Sequence, residues 1–143
     1  MNVYELTHIF FRYEEETVSC PKKLGMFDSA ENAKEAIRFF KSQPGFCDNK
    51  EAFSIRCRPV FGTVENLTVY EALVYYHTED YEFEHGVELG LFGDRAAAEE
   101  AVSAYCEDNA SLINARGIEA EKIVNARAIG KKEWVEGFDI YTY

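Results

Sequence analysis

The side chains in this sequence that could carry out chemistry are histidines and clustered carboxylates. His8 follows a stretch rich in aromatic and β-branched residues, where it could act as a general base or ligand together with Glu5 or Glu136. His77 and His85 flank an acidic segment, and such a set could hold a divalent metal ion. The acidic segment consists of Glu79, Asp80, Glu82 and Glu84. The structural alternative for His8 is a histidine at the edge of the core. The structural alternative for the acidic segment is a solvated hairpin turn, which the absence of an EF-hand ligand order favours.

Motifs with a known catalytic or nucleotide-binding mechanism are absent from the sequence. Gly25 and Gly90 precede predicted helices, but neither belongs to a glycine-rich phosphate loop, and no hydrolase or zinc-protease motif occurs. No two cysteines have the C-x-x-C spacing, and without a secretion signal the thiols are expected to be reduced. They are Cys20, Cys47, Cys57 and Cys106. The sequence therefore indicates no catalytic residue, no metal site and no cofactor.

The elements that must position these residues occur twice along the chain. The tripeptide Val-Tyr-Glu stands at 3–5 and again at 69–71. The segments 24–40 (LGMFDSAENAKEAIRFF) and 89–105 (LGLFGDRAAAEEAVSAY) also align, at nearly the same offset. Two matching blocks in the same order indicate an internal duplication. We predict one copy at 1–64 and a second at 65–143.

Each copy is predicted to fold as β-β-α-β. A strand rich in β-branched and aromatic residues, 3–11 in the first copy and 69–77 in the second, leads into a second strand that ends at the Leu-Gly motif. A helix and a third strand follow, the latter at 53–58 and 122–129. Because the links between strands are short, we expect an α+β fold with antiparallel sheets. A copy of this size is marginal alone, which predicts packing around a pseudo-two-fold axis.

Capping signals and apolar stripes locate the two helices. Asp28 or Ser29 can cap the first, and Asp28 and Glu31 have the spacing of a capping box. Asp94 can cap the second helix. The apolar stripes consist of Ala33, Ala36, Ile37 and Phe40, and of Ala98, Ala101, Val102 and Tyr105. Pro44-Gly45 ends the first helical region, Ser111 to Arg116 is predicted to be a helical turn, and the tail 134–143 is predicted to add a strand.

The order of these motifs resembles a family of small bacterial domains of unknown function. Such domains carry a Val-Tyr-x-x-x-His strand, a Leu-Gly-x-Phe motif before an alanine-rich helix, a Pro-Gly-Phe turn and a Trp-x-Glu-Gly-Phe ending. The matching residues of the first copy are Val3, Tyr4, His8, Gly25, Phe27, Ala33, Ala36, Pro44, Gly45, Phe46, Phe53 and Ile55. The second copy has Val74 in place of the histidine, but it has the ending, as Trp134, Glu136, Gly137 and Phe138. The resemblance implies a fold and no particular activity.

Charge is the most informative functional feature of the sequence. The 143 residues carry a formal net charge of −11. Residues 1–64 hold nine basic and nine acidic side chains, whereas 65–143 hold six basic and seventeen acidic ones. Nucleic acids and anionic membranes require a basic face, so neither is an expected partner. We find neither a signal peptide nor an apolar stretch that could span a membrane, and expect a cytoplasmic location.

Three functions are compatible with these features. The first is a non-enzymatic protein that binds a basic protein partner through Glu79, Asp80, Glu82 and Glu84, with bacterial immunity proteins as one version. The second is a small-molecule module whose ligand lies between the two copies, near Tyr4, His8, Tyr70, Trp134 and Glu136. The structural alternative for Trp134 is a core or subunit contact. The third is an enzyme that uses His8 with a carboxylate.

Overall fold

The structure, a computed structural model, describes residues 1–9, 11–12, 17–18, 21–48, 50–115 and 117–138. It has a mixed α+β fold, as the sequence predicts at that level. The strands are β1 (Asn2–His8), β2 (Phe11–Arg12), β3 (Thr17–Val18), β4 (Lys22–Phe27), β5 (Phe53–Phe61), β6 (Thr68–Thr78), β7 (Glu84–Phe92) and β8 (Ile118–Ala128). The helices are α1 (Ala30–Phe40), α2 (Arg95–Asp108) and α3 (Ala110–Ala115), with a 3-10 turn at Phe46–Asp48.

The chain divides into two compact units whose boundaries fall within β5 and at the end of β8. The first unit comprises Asn2–Arg58 and Ala128–Tyr143, and the second comprises Pro59–Arg127 together with Met1. The first unit therefore joins two stretches of sequence that are separated by the whole of the second.

In the first unit, helix α1 covers one face of the strand order β4-β1-β5. The core beneath the helix is aromatic and aliphatic because Leu6 of β1 and Leu24 of β4 lie on the face that meets the alanines of the helical stripe. The buried residues of this core are Leu6, Leu24, Phe27, Ala33, Ala36, Phe40 and Phe46. Ile37, the fourth member of the predicted stripe, packs against the same core and is partly buried.

In the second unit, helix α2 covers one face of the strand order β7-β6-β8. Ala98 and Val102 of its predicted stripe are buried against Ala72 and Val74 of β6, and Tyr105 is half-buried at the edge of that core. Small residues at the contact allow the helix to lie close to the sheet. The following α3 ends before Gly117, which agrees with the helical turn predicted at this place.

Each Leu-Gly motif forms a β-bulge. Leu6 of β1 pairs with Gly25 and Thr7 pairs with Lys23, so Leu24 is an extra residue in β4. In the second unit Ala72 pairs with Gly90, the next residue of β6 pairs with Glu88, and Leu89 is extra. Gly25 has a φ of +156° and Gly90 a φ of +141°, a backbone conformation that favours glycine. The motif recurs because both bulges need the same conformation.

The prediction of wholly antiparallel sheets was wrong at two places. The end of β5 pairs in parallel with β7, Val60 with Leu91 and Phe61 with Phe92. An isolated parallel bridge also joins Met26 to Ile129. The argument from short links applies to consecutive strands only. These parallel pairs join strands that are far apart in sequence, so that argument does not constrain them.

The structure also corrects several local predictions. Ser29, rather than Asp28, caps α1, because its Oγ accepts the N–H of Asn32 at 3.1 Å. The capping box of Asp28 with Glu31 is therefore not formed. The predicted cap of α2 is confirmed, since Asp94 Oδ1 accepts the N–H of Ala96 at 3.1 Å.

The predicted strands and tail differ in detail from the observed ones. Strand β1 ends at His8, and β8 begins at Ile118, four residues before the prediction. Trp134–Gly137 forms a turn rather than a strand, because the N–H of Gly137 donates to the Trp134 carbonyl at 2.9 Å. The strand expected at 139–143 lies outside the described residues.

Candidate functional site

The acidic segment forms the turn between β6 and β7. The Thr78 hydroxyl donates to Asp80 Oδ1 at 2.6 Å, and the N–H of Glu82 donates to the same oxygen at 3.1 Å. The N–H of Tyr81 and that of Phe83 also bond to Thr78, at its carbonyl and its hydroxyl oxygen. These bonds lower the pKa of the Asp80 carboxyl below its usual value, because they stabilise its charged form. The turn is thus ordered around one ionised carboxylate.

His77, at the end of β6, is buried with hydrogen-bond acceptors on both ring nitrogens. Its Nδ1 lies 3.1 Å from the Thr78 carbonyl oxygen, and its Nε2 lies 3.1 Å from Glu121 Oε1 and 3.7 Å from Glu119 Oε2. A neutral imidazole can donate from one nitrogen only. The doubly protonated ring fits this environment best. The hydrogen bond to Thr78, with the bond to Glu121, raises the pKa of His77, and burial opposes this effect only in part.

Two tyrosine rings contact His77. The ring of Tyr81 stacks on it with centroids 4.6 Å apart and planes 3° apart, and the ring of Tyr75 lies at 5.5 Å. Tyr81 reaches this position with a φ of +57°, an unfavourable backbone conformation for a residue with a side chain. A hydrogen bond to Glu84, aided by burial, raises the pKa of Tyr75 to about 12. The turn is therefore attached to β6 by stacking as well as by hydrogen bonds.

Carboxylates of the β6–β7 turn, of the start of β7 and of β8 lie at this end of the second unit. We call them the acidic hairpin surface, together with the exposed rings of Tyr81 and Phe83. The carboxylates are Glu79, Asp80, Glu82, Glu84, Glu119 and Glu121, and all six residues are exposed. The segment 78–84 contains neither lysine nor arginine. The sequence predicts the first four carboxylates; Glu119 and Glu121 were missed, because only the pairing of β8 with β6 brings them close.

A small apolar cavity of about 230 Å³ lies beside this surface. Phe83, His85 and the exposed Leu112 are among its lining residues, with Tyr76 and Tyr105 at the inner side. Burial and a hydrogen bond with Tyr105 raise the pKa of Tyr76 above its usual value. The cavity is large enough for one side chain of a partner and is too small for a drug-sized ligand.

His8 lies inside the core of the first unit. Its ring has no exposed surface, and it makes edge contacts with Phe46 and Phe53 at centroid distances of 4.8 Å and a tilted contact with Phe138 at 5.9 Å. A general base must reach a proton of the substrate. The position of His8 matches the structural alternative, a core histidine, and gives no support to the enzyme hypothesis.

The other predicted ligand-binding residues lie in β1, in β6 and in the turn that follows β8. Tyr4 is half-buried against the core of the first unit, whereas Trp134 and Glu136 are exposed in the turn near the carboxy terminus. Lys22 lies over the Trp134 ring, with its Nζ 5.6 Å from the ring centroid. Tyr70 belongs to the second unit, and the hypothesis of a ligand between the two copies stays a prediction.

Tyr70 lines the larger of the two cavities described here, of about 840 Å³, which lies wholly within the second unit. Phe61 and Phe92 form further aromatic walls, with ring centroids 5.5 Å apart. Arg95, in the first turn of α2, places its guanidinium 5.0 Å from the Tyr70 ring centroid. The structure thus places Tyr70, a predicted ligand-binding residue, in a cavity of ligand size.

Two buried glutamates at equivalent motif positions carry ion pairs that the sequence analysis did not anticipate. Glu5 is 2% exposed and lies 3.0 Å from Arg56 Nη2 and 3.4 Å from Arg58 Nη1. Glu71 is 1% exposed and lies 3.5 Å from Arg127 Nη1. The repeated Val-Tyr-Glu tripeptide is the signal that could have indicated them. The first pair links β1 to β5, and the second links β6 to β8.

The remaining site chemistry concerns metal ligands, thiols and membrane spans in the described residues. Within them, no group of three or more histidine, cysteine or acidic side chains has a geometry that could hold a metal ion. Cys47 and Cys57 are exposed and Cys106 is half-buried, and these three form no disulfide; Cys20 lies outside the described residues. No helix in the described part of the chain is long and apolar enough to cross a membrane.

Comparisons of this chain with protein families, with curated proteins and with solved structures find no match. The geometry of the chain's own residues therefore carries the functional argument.

Proposed function

We propose that this protein is a non-enzymatic binding protein that docks a basic protein partner on the acidic hairpin surface. The observation that carries the proposal is the convergence of six exposed carboxylates from the β6–β7 turn and β8 around two exposed aromatic rings. An immunity-type protein that neutralises a basic effector is one concrete version of this function.

Electrostatics support a basic partner in particular. Residues 59–127 contain fourteen acidic and four basic side chains. Like charges held close together on one surface repel one another, so a basic partner would relieve this repulsion when it binds. The summed field would also steer the partner toward the surface and accelerate association.

Exposed aromatic side chains on this surface can contribute binding energy in addition to the attraction between charges. Tyr81 is 55% exposed and Phe83 is 47% exposed, and both lie among the carboxylates. Aromatic residues are enriched among the side chains that dominate the binding energy of protein interfaces, whereas exposed charges contribute mainly to specificity and on-rate. The cavity beside Phe83 offers a place for an apolar side chain of the partner.

The test compares two variants of the full chain that have the same net charge. The hairpin variant neutralises the turn, and the helix variant neutralises four exposed residues of α2. The substitutions are Glu79→Gln, Asp80→Asn, Glu82→Gln and Glu84→Gln in the hairpin variant, and Glu99→Gln, Glu100→Gln, Glu107→Gln and Asp108→Asn in the helix variant. Each protein is immobilised and incubated with lysate of the source cells, and captured proteins are identified and then titrated in purified form.

The proposal expects a basic protein that binds the wild-type chain and the helix variant equally and the hairpin variant at least about tenfold more weakly, which corresponds to about 1.4 kcal/mol. Raising the salt from about 0.1 M to about 1 M shortens the Debye length from about 10 Å to about 3 Å and should release this partner. Equal loss of binding in both variants, or binding that is indifferent to salt, would contradict a site at the hairpin.

We also infer that the chain is a duplicated β-β-α-β module. The repeated bulge at Leu24-Gly25 and Leu89-Gly90 supports this inference, as do the buried Glu5 and Glu71 at matching positions. The pseudo-two-fold arrangement predicted from the sequence stays a prediction.

A further inference from the structure

We propose that the 840 Å³ cavity of the second unit binds a small organic cation that carries an aromatic ring, such as an aromatic monoamine. The cavity volume falls within the range of about 300–1000 Å³ that is usual for ligand pockets. This site is independent of the acidic hairpin surface, because the two share no residue.

The walls of the cavity favour an aromatic ligand. Phe61, at the end of β5, is 55% exposed although its ring packs against Phe92. Tyr70 is half-buried and contributes a third ring. Aromatic rings prefer offset or edge contacts with one another. A planar ring in the cavity would make such contacts and would remove the exposed surface of Phe61 from water.

The tight turn between β5 and β6 gives the cavity a fixed polar side. Asn66 and Leu67 adopt φ values of +54° and +49°, and the N–H of Thr68 donates to the Glu65 carbonyl at 3.2 Å. Asn66, Thr68 and Glu65 all line the cavity. Their amide, hydroxyl and carboxylate groups can accept hydrogen bonds from an ammonium group.

The charges at the cavity favour a cation over an anion. Glu65 and Asp94 contribute carboxylates, and Arg95 is the one basic residue among the lining residues in the described part of the chain. The Arg95 guanidinium already lies over the Tyr70 ring, and Asp94 caps the amino terminus of α2. That carboxylate opposes the partial positive charge of the helix end. A ligand ammonium would be attracted both by the carboxylates and by the aromatic rings of Phe61 and Phe92.

The test uses three indole compounds of similar size that differ in charge. Tryptamine is the cationic probe, tryptophol is the neutral probe and indole-3-propionate is the anionic probe. Each is titrated into the full-length isotope-labelled chain, and binding is followed by amide chemical shifts and by calorimetry. We expect tryptamine to bind at least about tenfold more tightly than the other two. The shifts should map to 61–68 and 92–97.

Exposed side chains allow variants that leave the fold intact. Phe61→Ala and Glu65→Gln should each weaken tryptamine binding at least about fivefold, because they remove a ring contact and a charge contact. Leu67→Ala removes a more exposed apolar side chain that does not line the cavity, and Glu99→Gln removes a carboxylate of α2, so both should bind as the wild type.

Two results would overturn the proposal. One is the absence of shifts at 61–68 and 92–97 at millimolar tryptamine. The other is binding of indole-3-propionate that equals or exceeds that of tryptamine, which would identify the cavity as an anion site formed by Arg95. Neither result bears on the hairpin, because the variants used to test the proposed function leave the cavity unchanged.

Discussion

At the scale of single residues, buried ionisable side chains make contacts that affect both protonation and stability. His77 faces the Thr78 carbonyl, Glu119 and Glu121, and its ring lies against Tyr75 and Tyr81. Three of these neighbours are hydrogen-bond acceptors or carboxylates. The environment therefore favours the protonated ring although the ring is buried.

The first prediction concerns the pH dependence of stability. Because the folded state raises the pKa of His77 above 6.5, its contribution to stability is fully present below pH 6.5 and is lost as the pH rises through the folded-state pKa. His77→Phe keeps the ring contacts but cannot be protonated, so its unfolding free energy should depend less on pH over this window. Denaturant unfolding across the pH range and an NMR titration of the ring measure both effects.

His85→Gln serves as the control, because it changes an exposed histidine on the adjacent strand. This variant should retain the pH dependence of the unfolding free energy that is assigned to His77. An NMR titration that places His77 below 6.5 would show that burial, rather than the Thr78 and Glu121 contacts, determines the protonation of this ring.

The second prediction concerns the buried ion pair of Glu5. Glu5→Leu leaves Arg58 buried beside an apolar side chain, and removal of one partner of a buried pair costs about 3–5 kcal/mol. The double variant Glu5→Leu with Arg58→Met should recover part of this loss, since it removes both charges. Arg56→Gln, at a side chain that is 53% exposed, should cost no more than about 1 kcal/mol. Chemical denaturation measures all three, and a double variant less stable than Glu5→Leu would contradict the pairing.

The bulged hairpins are the most distinctive elements of the fold. In each unit a leucine is the extra residue and a glycine follows it with a positive φ. A Cβ on Gly25 would lie 2.6 Å from the Lys131 carbonyl oxygen and 3.1 Å from the Phe27 ring. The glycine thus permits both the bulge and the approach of the segment that follows β8.

The third prediction follows from this close approach. Gly25→Ala should lower the unfolding free energy by more than about 2 kcal/mol, because it adds an unfavourable φ and a clash with backbone. Gly86→Ala is the matched control, since a Cβ there meets nothing within 4 Å and its φ is not positive. Thermal or urea unfolding compares the two, and equal stability of both variants would contradict the role assigned to the bulge.

Local elements were predictable from the sequence because their signals are local. The Leu-Gly motifs, the cap at Asp94 and the alanine stripes depend on neighbours within a few residues. The choice of Ser29 over Asp28 as a cap was not predictable, since both have the right chemistry. The parallel pairing of Val60 with Leu91 and the assembly of Glu119 and Glu121 near His77 depend on contacts between distant strands, which periodicity does not encode.

The candidate functional residues also differ in how far the sequence alone could predict them. The acidic turn was recognisable from its composition, whereas Tyr70 was predicted as part of a ligand site between the two copies, which stays a prediction. The sequence around His8 does not distinguish a ligand-binding histidine from a core histidine. In the structure, the rings of Phe46, Phe53 and Phe138 contact it. Composition cannot reveal these contacts, because Phe138 comes from the far end of the chain.

At the scale of the whole molecule, the first unit depends on both ends of the sequence. The N–H groups of Gly130, Glu133 and Phe138 donate to the carbonyls of Met26, Leu24 and Pro44. The Phe138 ring lies 4.8 Å from that of Phe46 and receives Lys22 Nζ at 4.1 Å.

The fourth prediction tests this dependence. Phe138→Ala should lower the unfolding free energy by about 2 kcal/mol, less than for a fully buried phenylalanine, because the ring is half-buried in the first unit. Trp134→Ala, at a ring that is 48% exposed in the same turn, should cost about 1 kcal/mol or less. Denaturant unfolding followed by the NMR signals of Phe46 and His8 measures both, and an equal effect of the two variants would contradict the packing role of Phe138.

The division of the first unit between two stretches of sequence has a consequence during biosynthesis. A ribosome adds about 5–20 residues per second, so several seconds pass between completion of Arg58 and synthesis of Phe138. During that interval the ribosome synthesises the whole of the later-encoded unit, which ends at Arg127, while the earlier-encoded one still lacks its closing segment. The part of the protein translated first is thus finished last, and chaperones would encounter it in a partly open state.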